Sequence, residues 1–210
     1  MTVVSLKVET GAESTPSVLR IGLSDGSSFA FKRCYLPVEL RGEDVFFPGR
    51  DLSSAEEDAC RFAAACYRTE RAALRLVARA EQTCRGIAHK LEIRGFTAAC
   101  IAEVVSYLVD TEIISDERYA VLWLHARLAR FPEAPRKLLA GLRRRGINSR
   151  IAGGALKKVL DFQTESALLK GYLKKNQSHK PQTDRFLTKQ LKYEGFSPSV
   201  IESVWEEGET

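Results

Sequence analysis

LRRRGIN, residues 142–148, has the same form as LEIRGFT at residues 91–97 and LKYEGFS at residues 191–197. Each stretch reads Leu-x-x-x-Gly, followed by a large apolar residue and then by Asn, Thr or Ser. A glycine just past a helix end takes the left-handed conformation without steric penalty and closes a Schellman motif. The apolar residue then packs against the leucine, and the short polar residue caps a new helix. Each stretch therefore predicts a helix, a tight turn and a second helix.

These three corners recur at a regular interval. Their leucines are 51 and 49 residues apart, and apolar residues at helical spacing follow each corner. A further amphipathic helix is predicted before each corner, at residues about 70–82, 116–130 and 165–175, and a longer polar loop at 176–184. The pattern predicts a unit of three helices used three times, at residues 53–112, 113–162 and 163–210. Tandem arrays of this kind tend to be elongated and curved, with long faces for binding.

The first 52 residues predict a β-rich extension. VVSLKVE, VLRIGL and SFAFKRCYL are rich in strand-forming residues, and the last two flank an Asp25-Gly26 turn typical of a hairpin. Ser53 with Glu56 three residues later forms a capping box, which predicts the start of a helix. Apolar residues then follow one helical face over one helix or two consecutive helices: Phe62, Cys66, Ala73, Leu76, Val77 and Ala80. The expected fold class is mainly α, with tandem three-helix repeats after a small N-terminal β-hairpin.

The charge of the chain is concentrated in one segment. The formal net charge is +5, yet residues 127–158 contain ten Lys and Arg against one acidic residue, Glu133, a balance of +9. The formal net charge of each other segment is slightly negative: −1 for residues 1–55, −2 for 56–126 and −1 for 159–210. Such asymmetry indicates an anionic partner, either nucleic acid or an acidic protein surface. The candidate binding residues are Arg127, Arg130, Arg136, Lys137, Arg143, Arg144, Arg145, Arg150, Lys157 and Lys158.

The three consecutive arginines exceed what a helix end needs. One cation near a helix C-terminus is enough to interact with the helix dipole, and the sister corners have Glu92-Ile93-Arg94 and Lys192-Tyr193-Glu194 at these positions. A spacing of seven places Arg136 with Arg143, and Lys137 with Arg144, on shared faces. Trp123 and Phe131 are expected in the core, so no stacking platform for single strands is expected here.

Other classes of site have little support in the sequence. The start of the chain lacks the layout of a secretory signal and no apolar run reaches about 20 residues, so we expect a soluble cytoplasmic protein. The five cysteines contain no CxxC pair and are expected to be small buried hydrophobes, and the three histidines lie far apart, so no metal or cofactor is expected.

Asp116-Glu117 could hold a metal for a nuclease, but negative charge is favourable at a helix start. Gly153-Gly154 lacks the Lys-Ser/Thr of a P-loop and is expected to allow close helix packing.

The corners, together with IISDERYA at residues 113–120 and the basic second repeat, resemble the RecX family, the bacterial regulators of RecA. The resemblance runs from about residue 70 to 206. It implies a monomeric, non-enzymatic protein that binds the RecA filament along its helical groove and curbs ATP hydrolysis and strand exchange, restraining recombination and the SOS response. Contact with single- or double-stranded DNA is expected to be weak and electrostatic, and no membrane contact is expected. The alternative is a general DNA-binding repeat protein without a protein partner.

Overall fold

The computed structural model describes residues 1–9, 17–176 and 184–208. Most of the polar loop predicted at 176–184 lies outside these residues. The chain divides into two compact units, Met1–Glu81 with Ile87–Ile114, and Gln82–Gly86 with Ser115–Thr210. Within the described ranges, no helix combines the length and the apolar character needed to cross a membrane.

The first unit begins with an antiparallel sheet in the order β1-β2-β3. The strands are β1 (Val3–Glu9), β2 (Val18–Leu23) and β3 (Ser28–Lys32). The predicted turn joins β2 to β3. Within it the Leu23 N–H donates to the Ser27 carbonyl at 2.9 Å, and Gly26 has φ +83°. The third strand is shorter than predicted, since Arg33–Tyr35 forms a 3₁₀ turn.

Three helices complete the first unit: α1 (Ser54–Val77), α2 (Cys84–Glu92, whose first residues are counted with the second unit) and α3 (Ala98–Asp110). The predicted capping box is present at Ser53 and Glu56. The residues after it form one helix of 24 residues, which ends before the predicted limit of 82. Cys66, Ala73 and Leu76 are buried as predicted, whereas Phe62 and Ala80 are exposed. Phe62 therefore does not share the buried face of α1.

The second unit contains two helical bundles. The second bundle consists of α4 (Asp116–Leu128), α5 (Pro135–Arg144) and α6 (Ser149–Val159). The third bundle consists of α7 (Phe162–Asn176), α8 (Asp184–Tyr193) and α9 (Pro198–Gly208). Each bundle encloses its own apolar cluster, centred on residues such as Leu124, Leu138 and Leu142 in the second and Leu169, Phe196 and Val200 in the third.

The predicted corners are present at all three positions. Gly95, Gly146 and Gly195 have φ of +81°, +89° and +91°. In each corner the N–H of the residue after the glycine donates to the leucine carbonyl at 3.1–3.2 Å, as a Schellman motif requires. Thr97 and Asn148 cap α3 and α6 as predicted. At the third corner the Ser197 hydroxyl donates to Glu165 Oε2 at 2.7 Å, so a buried carboxylate of α7 also holds this turn.

Substitution of the corner glycines is expected to have unequal effects. Gly95→Ala should destabilise the protein by about 1–2 kcal/mol, the cost of a left-handed non-glycine residue, since its new methyl group would meet nothing within 4 Å. Gly146→Ala should cost more, because its Cβ would lie 2.6 Å from the Cβ of Arg85. Urea unfolding followed by circular dichroism measures both. Equal losses would show that the contact with Arg85 has no energetic weight.

Candidate functional site

The basic segment, residues 127–158, covers the end of α4, all of α5, and α6 up to Lys158. Leu138, Leu142 and Ile147 face the second bundle's interior and are at most 2% exposed. The amphipathic pattern leaves the charged residues on the opposite side. Nine of the ten candidate cations are exposed, and Arg127 is partly buried.

The only acidic residue of the basic segment is held by two of its cations. Glu133 is 6% exposed and accepts hydrogen bonds from Nε and Nη2 of Arg127, both at 2.8 Å. The Lys137 ammonium lies 2.7 Å from Glu133 Oε1. The bonds from Arg127, opposed by burial and helped by Lys137, lower the pKa of Glu133 to about 2. We call these three residues the Glu133 clamp, and it ties the end of α4 to the start of α5.

A cleft of about 300 Å³ lies beside the Glu133 clamp. Lys137 and Arg144 both line it, which confirms that these two residues share a face. Trp123 packs against α5 at Gly141, where a Cβ would be 2.5 Å from the indole ring. The Arg145 guanidinium lies 4.6 Å from the Trp123 ring centroid and donates to the Gly141 carbonyl at 2.9 Å. The cleft therefore combines cations with one partly exposed aromatic ring.

The expectation that aromatic residues stay apart from these cations is wrong. Phe131 is 44% exposed rather than in the core, and the Arg127 guanidinium lies 4.9 Å from its ring centroid. Lys175 lies 5.9 Å from the same ring. Phe131 lies beyond α4, which ends at Leu128, so it is not on the helical face that packs against the core. Trp123 packs against the core as predicted, but it also contacts Arg145.

Arg136 contacts the third corner. The Arg136 guanidinium lies 3.9 Å from the Tyr193 ring centroid, and the Arg136 backbone N–H donates to the Glu194 carbonyl at 2.9 Å. A guanidinium over an aromatic face at this distance is a favourable cation–π contact. Arg136 therefore joins α5 to the third corner through both its backbone and its side chain.

The remaining candidates are exposed on the surface of the second bundle: Arg130, Arg143, Arg150, Lys157 and Lys158. Gly153 and Gly154 lie between the last two lysines and Arg150 on α6. A Cβ at either glycine would meet nothing within 4 Å. The expectation that this pair allows close helix packing is therefore wrong.

One further cation, which the net charges of the segments did not reveal, lies beside the basic segment. Arg85, at the start of α2, is exposed and packs its side chain on Gly146 at the second corner. The neighbouring Thr83 hydroxyl donates to the Arg145 carbonyl at 3.1 Å. Residues 56–126 have a negative sum, so nothing in the sequence pattern assigned Arg85 to the basic segment.

The acidic pair at the start of α4 has a structural partner. Asp116 Oδ1 accepts the Cys84 N–H at 2.9 Å and so caps α2. Burial, with the nearby Asp116 carboxylate, raises the pKa of the Cys84 thiol to about 11. Cys60, Cys66 and Cys100 are buried as expected, whereas Cys34 and Cys84 are partly exposed. Among the described residues no group of three or more His, Cys, Asp or Glu could hold a metal ion, and His179 lies outside those residues.

Comparison with known proteins places the chain in a family. No protein-family model matches it. Regulatory protein RecX of Treponema pallidum, strain Nichols, is 34% identical over 142 residues, which cover 67% of this chain and 85% of the relative. The chain belongs to the RecX family. A crystal structure of a regulatory protein RecX matches 98% of this chain and 100% of its own, with a TM-score of 0.67 and 18% identity.

A second RecX structure is also similar to this chain. RecX from Lactobacillus salivarius matches 68% of this chain and 96% of its own, with a TM-score of 0.54 and 20% identity. These likenesses agree with the predicted fold class, in which most of the RecX chain is helical and a small antiparallel sheet precedes the helices.

Proposed function

We propose that this cytoplasmic RecX-family protein binds the RecA nucleoprotein filament in its helical groove and restrains RecA. Binding would reduce ATP hydrolysis and strand exchange, and so limit recombination and the SOS response. The observation that carries the proposal is the exposed cationic surface of the second bundle. Glu133, the only acidic residue of the basic segment, is already paired inside the Glu133 clamp, so this segment keeps a large positive charge for an anionic partner.

The candidate cations divide into two groups by their contacts. Arg127 holds Glu133, Arg136 contacts Tyr193, and Arg145 contacts Trp123, so these three shape the surface. Arg143 and Arg144 at the second corner, with Arg150 nearby, are exposed and suited to contact phosphate groups directly. Arginine is well suited to that role because its planar fork can form two parallel hydrogen bonds with a phosphate.

Electrostatic contact of this kind does not depend on nucleotide sequence. Each phosphate neutralised releases condensed counterions, so affinity falls as salt rises. A regulator that recognises a filament in this way can act on RecA assembled on any DNA sequence. It needs no catalytic group of its own, since it acts by occupying the filament, and we propose that it is not an enzyme.

The proposal is tested by titrating the protein into RecA on single-stranded DNA with ATP and following hydrolysis. We expect inhibition at well below one protein per RecA protomer, because one bound regulator would affect several protomers. Inhibition that begins only when the DNA is saturated with the protein would contradict the proposal. That outcome would indicate a general DNA-binding protein that competes with RecA for the DNA.

A further inference from the structure

A second cationic surface lies on the first unit, along α1. Arg61, Arg68, Arg71 and Arg75 are separated by seven, three and four residues, which places them on one face of the helix. All four are exposed. Ala64 lies on the same face, so a small apolar residue separates the charges.

This face of α1 forms one wall of a cleft with the sheet. The cleft has a volume of about 290 Å³ and is lined by Arg20 and Phe29 from the strands and by Tyr67, Arg68 and Arg71 from α1. Both rings are only partly buried. The Arg61 guanidinium lies 5.7 Å from the Phe29 ring centroid. We call this cleft, with Arg61 and Arg75 beside it, the α1 cleft.

The carboxylates of the first unit leave most of this surface uncompensated. Glu57 pairs with the N-terminal ammonium of Met1, and Glu70 is turned inward. Asp58 lies 3.8 Å from Arg61 in an exposed ion pair. Arg20 pairs with Glu9 at 2.8 Å in an exposed contact, which contributes little. Within the described ranges, Arg68, Arg71 and Arg75 have no carboxylate partner. The negative charge sums of residues 1–126 therefore conceal a locally positive surface.

We propose that the α1 cleft binds single-stranded nucleic acid, independently of the basic segment. Its arginines would contact the phosphate groups, and the partly exposed rings of Phe29 and Tyr67 would stack on bases. A positive groove lined with aromatic rings is typical of sites that bind single strands without sequence preference. Duplex fits this cleft less well, because paired bases stack on one another and offer no free face to Tyr67. An acidic protein surface would use the arginines and leave the rings without a role.

The test is binding of the full chain to a fluorescently labelled oligo(dT) of about 30 nucleotides, measured by anisotropy in the absence of RecA. Arg68→Gln with Arg71→Gln is expected to raise the Kd about five- to tenfold. It should also reduce the slope of log affinity against log salt by about 1.4, that is, about 0.7 for each phosphate that is no longer neutralised. Lys90→Gln with Arg94→Gln removes two cations from the same unit outside the cleft and should leave binding near the wild-type value.

Substitution of Tyr67 tests the role assigned to the rings. Tyr67→Ala should weaken binding to oligo(dT) about fivefold or more, whereas Tyr67→Phe keeps the ring and should bind like the wild type. The thermal melt of each variant controls for folding, and the two arginine changes are on exposed positions that tolerate substitution.

Two results would overturn this inference. One is that Arg68→Gln with Arg71→Gln binds oligo(dT) as tightly as the Lys90 and Arg94 control. The other combines two observations: Arg68→Gln with Arg71→Gln weakens binding to a duplex of the same length as much as binding to oligo(dT), and Tyr67→Ala has no effect on oligo(dT) binding. That result would indicate a general electrostatic patch. Neither result bears on RecA inhibition, because RecA is absent. The effect should also persist in a chain that carries Arg143→Ala and Arg144→Ala, since the α1 cleft lies in the other unit.

Discussion

Glu70→Ala is expected to lower the free energy of unfolding of the first unit by about 3–5 kcal/mol, the usual cost of breaking a buried ion pair. Glu70 on α1 is 1% exposed and accepts hydrogen bonds from the Lys32 ammonium at 2.5 Å and the Tyr35 hydroxyl at 3.0 Å. Burial opposes the charge of Lys32, but the bond to Glu70 and its negative charge outweigh this and raise the pKa of Lys32. Without Glu70, the ammonium would remain buried next to an unpaired hydroxyl.

Urea unfolding followed by circular dichroism measures this loss. Glu103→Ala removes an exposed glutamate from α3 of the same unit and should change the unfolding free energy by less than about 0.5 kcal/mol. Replacing both partners, as Lys32→Met with Glu70→Leu, should recover most of the loss, because apolar side chains of similar size leave no charge unpaired. A loss below about 1 kcal/mol for Glu70→Ala would show that water reaches Lys32 and that the pair is not a structural contact.

Glu133→Gln is expected to destabilise the second unit by about 1.5–3 kcal/mol at pH 7, the range for hydrogen bonds to charged groups. The upper part of the range is less favoured because Lys137 and Arg127 are 65% and 38% exposed and are screened by solvent. The pKa of Glu133 is about 2 in the folded protein, below its ordinary 4.5. Its contribution is therefore fully present above pH 4.5 and is lost as the pH falls towards 2.

The pH dependence of the unfolding free energy distinguishes the contribution of Glu133 from that of the other carboxyl groups. The wild type should lose more stability between pH 5 and pH 2.5 than Glu133→Gln does, because the variant has already lost this contribution. Glu202→Gln on the exposed face of α9 is the matched control and should follow the wild-type curve. Parallel curves for the wild type and Glu133→Gln would contradict the Glu133 clamp.

The parts of the fold that were predictable from sequence are turns and helix caps formed by residues close together in the chain. In each corner, a glycine and the leucine four positions before it form the turn within seven residues. The capping box of α1 needs only Ser53 and Glu56, and the hairpin needs Asp25-Gly26 between two strand-forming runs. These local hydrogen bonds depend on residue type and spacing, and both are visible in the sequence.

Other features depend on residues that are distant in the chain. Glu70 lies 38 residues from Lys32, and no local pattern marks it as buried. Trp123 can lie on α5 only because position 141 is glycine, and the contact of Arg85 with Gly146 joins residues of different predicted repeats. The α1 cleft was missed for a related reason: segment charge sums count Glu57 and Glu70 against arginines that they do not neutralise.

Whether the basic segment binds the filament is measured by the binding of Arg143→Ala with Arg144→Ala to RecA filaments on single-stranded DNA over a range of salt concentrations. We expect the affinity to fall several-fold and the slope of log affinity against log salt to become shallower by about 1–1.5. Arg185→Ala with Lys189→Ala, which removes two cations from α8, should behave like the wild type. Wild-type affinity and an unchanged salt slope for Arg143→Ala with Arg144→Ala would contradict the assignment of the basic segment as the filament-binding surface.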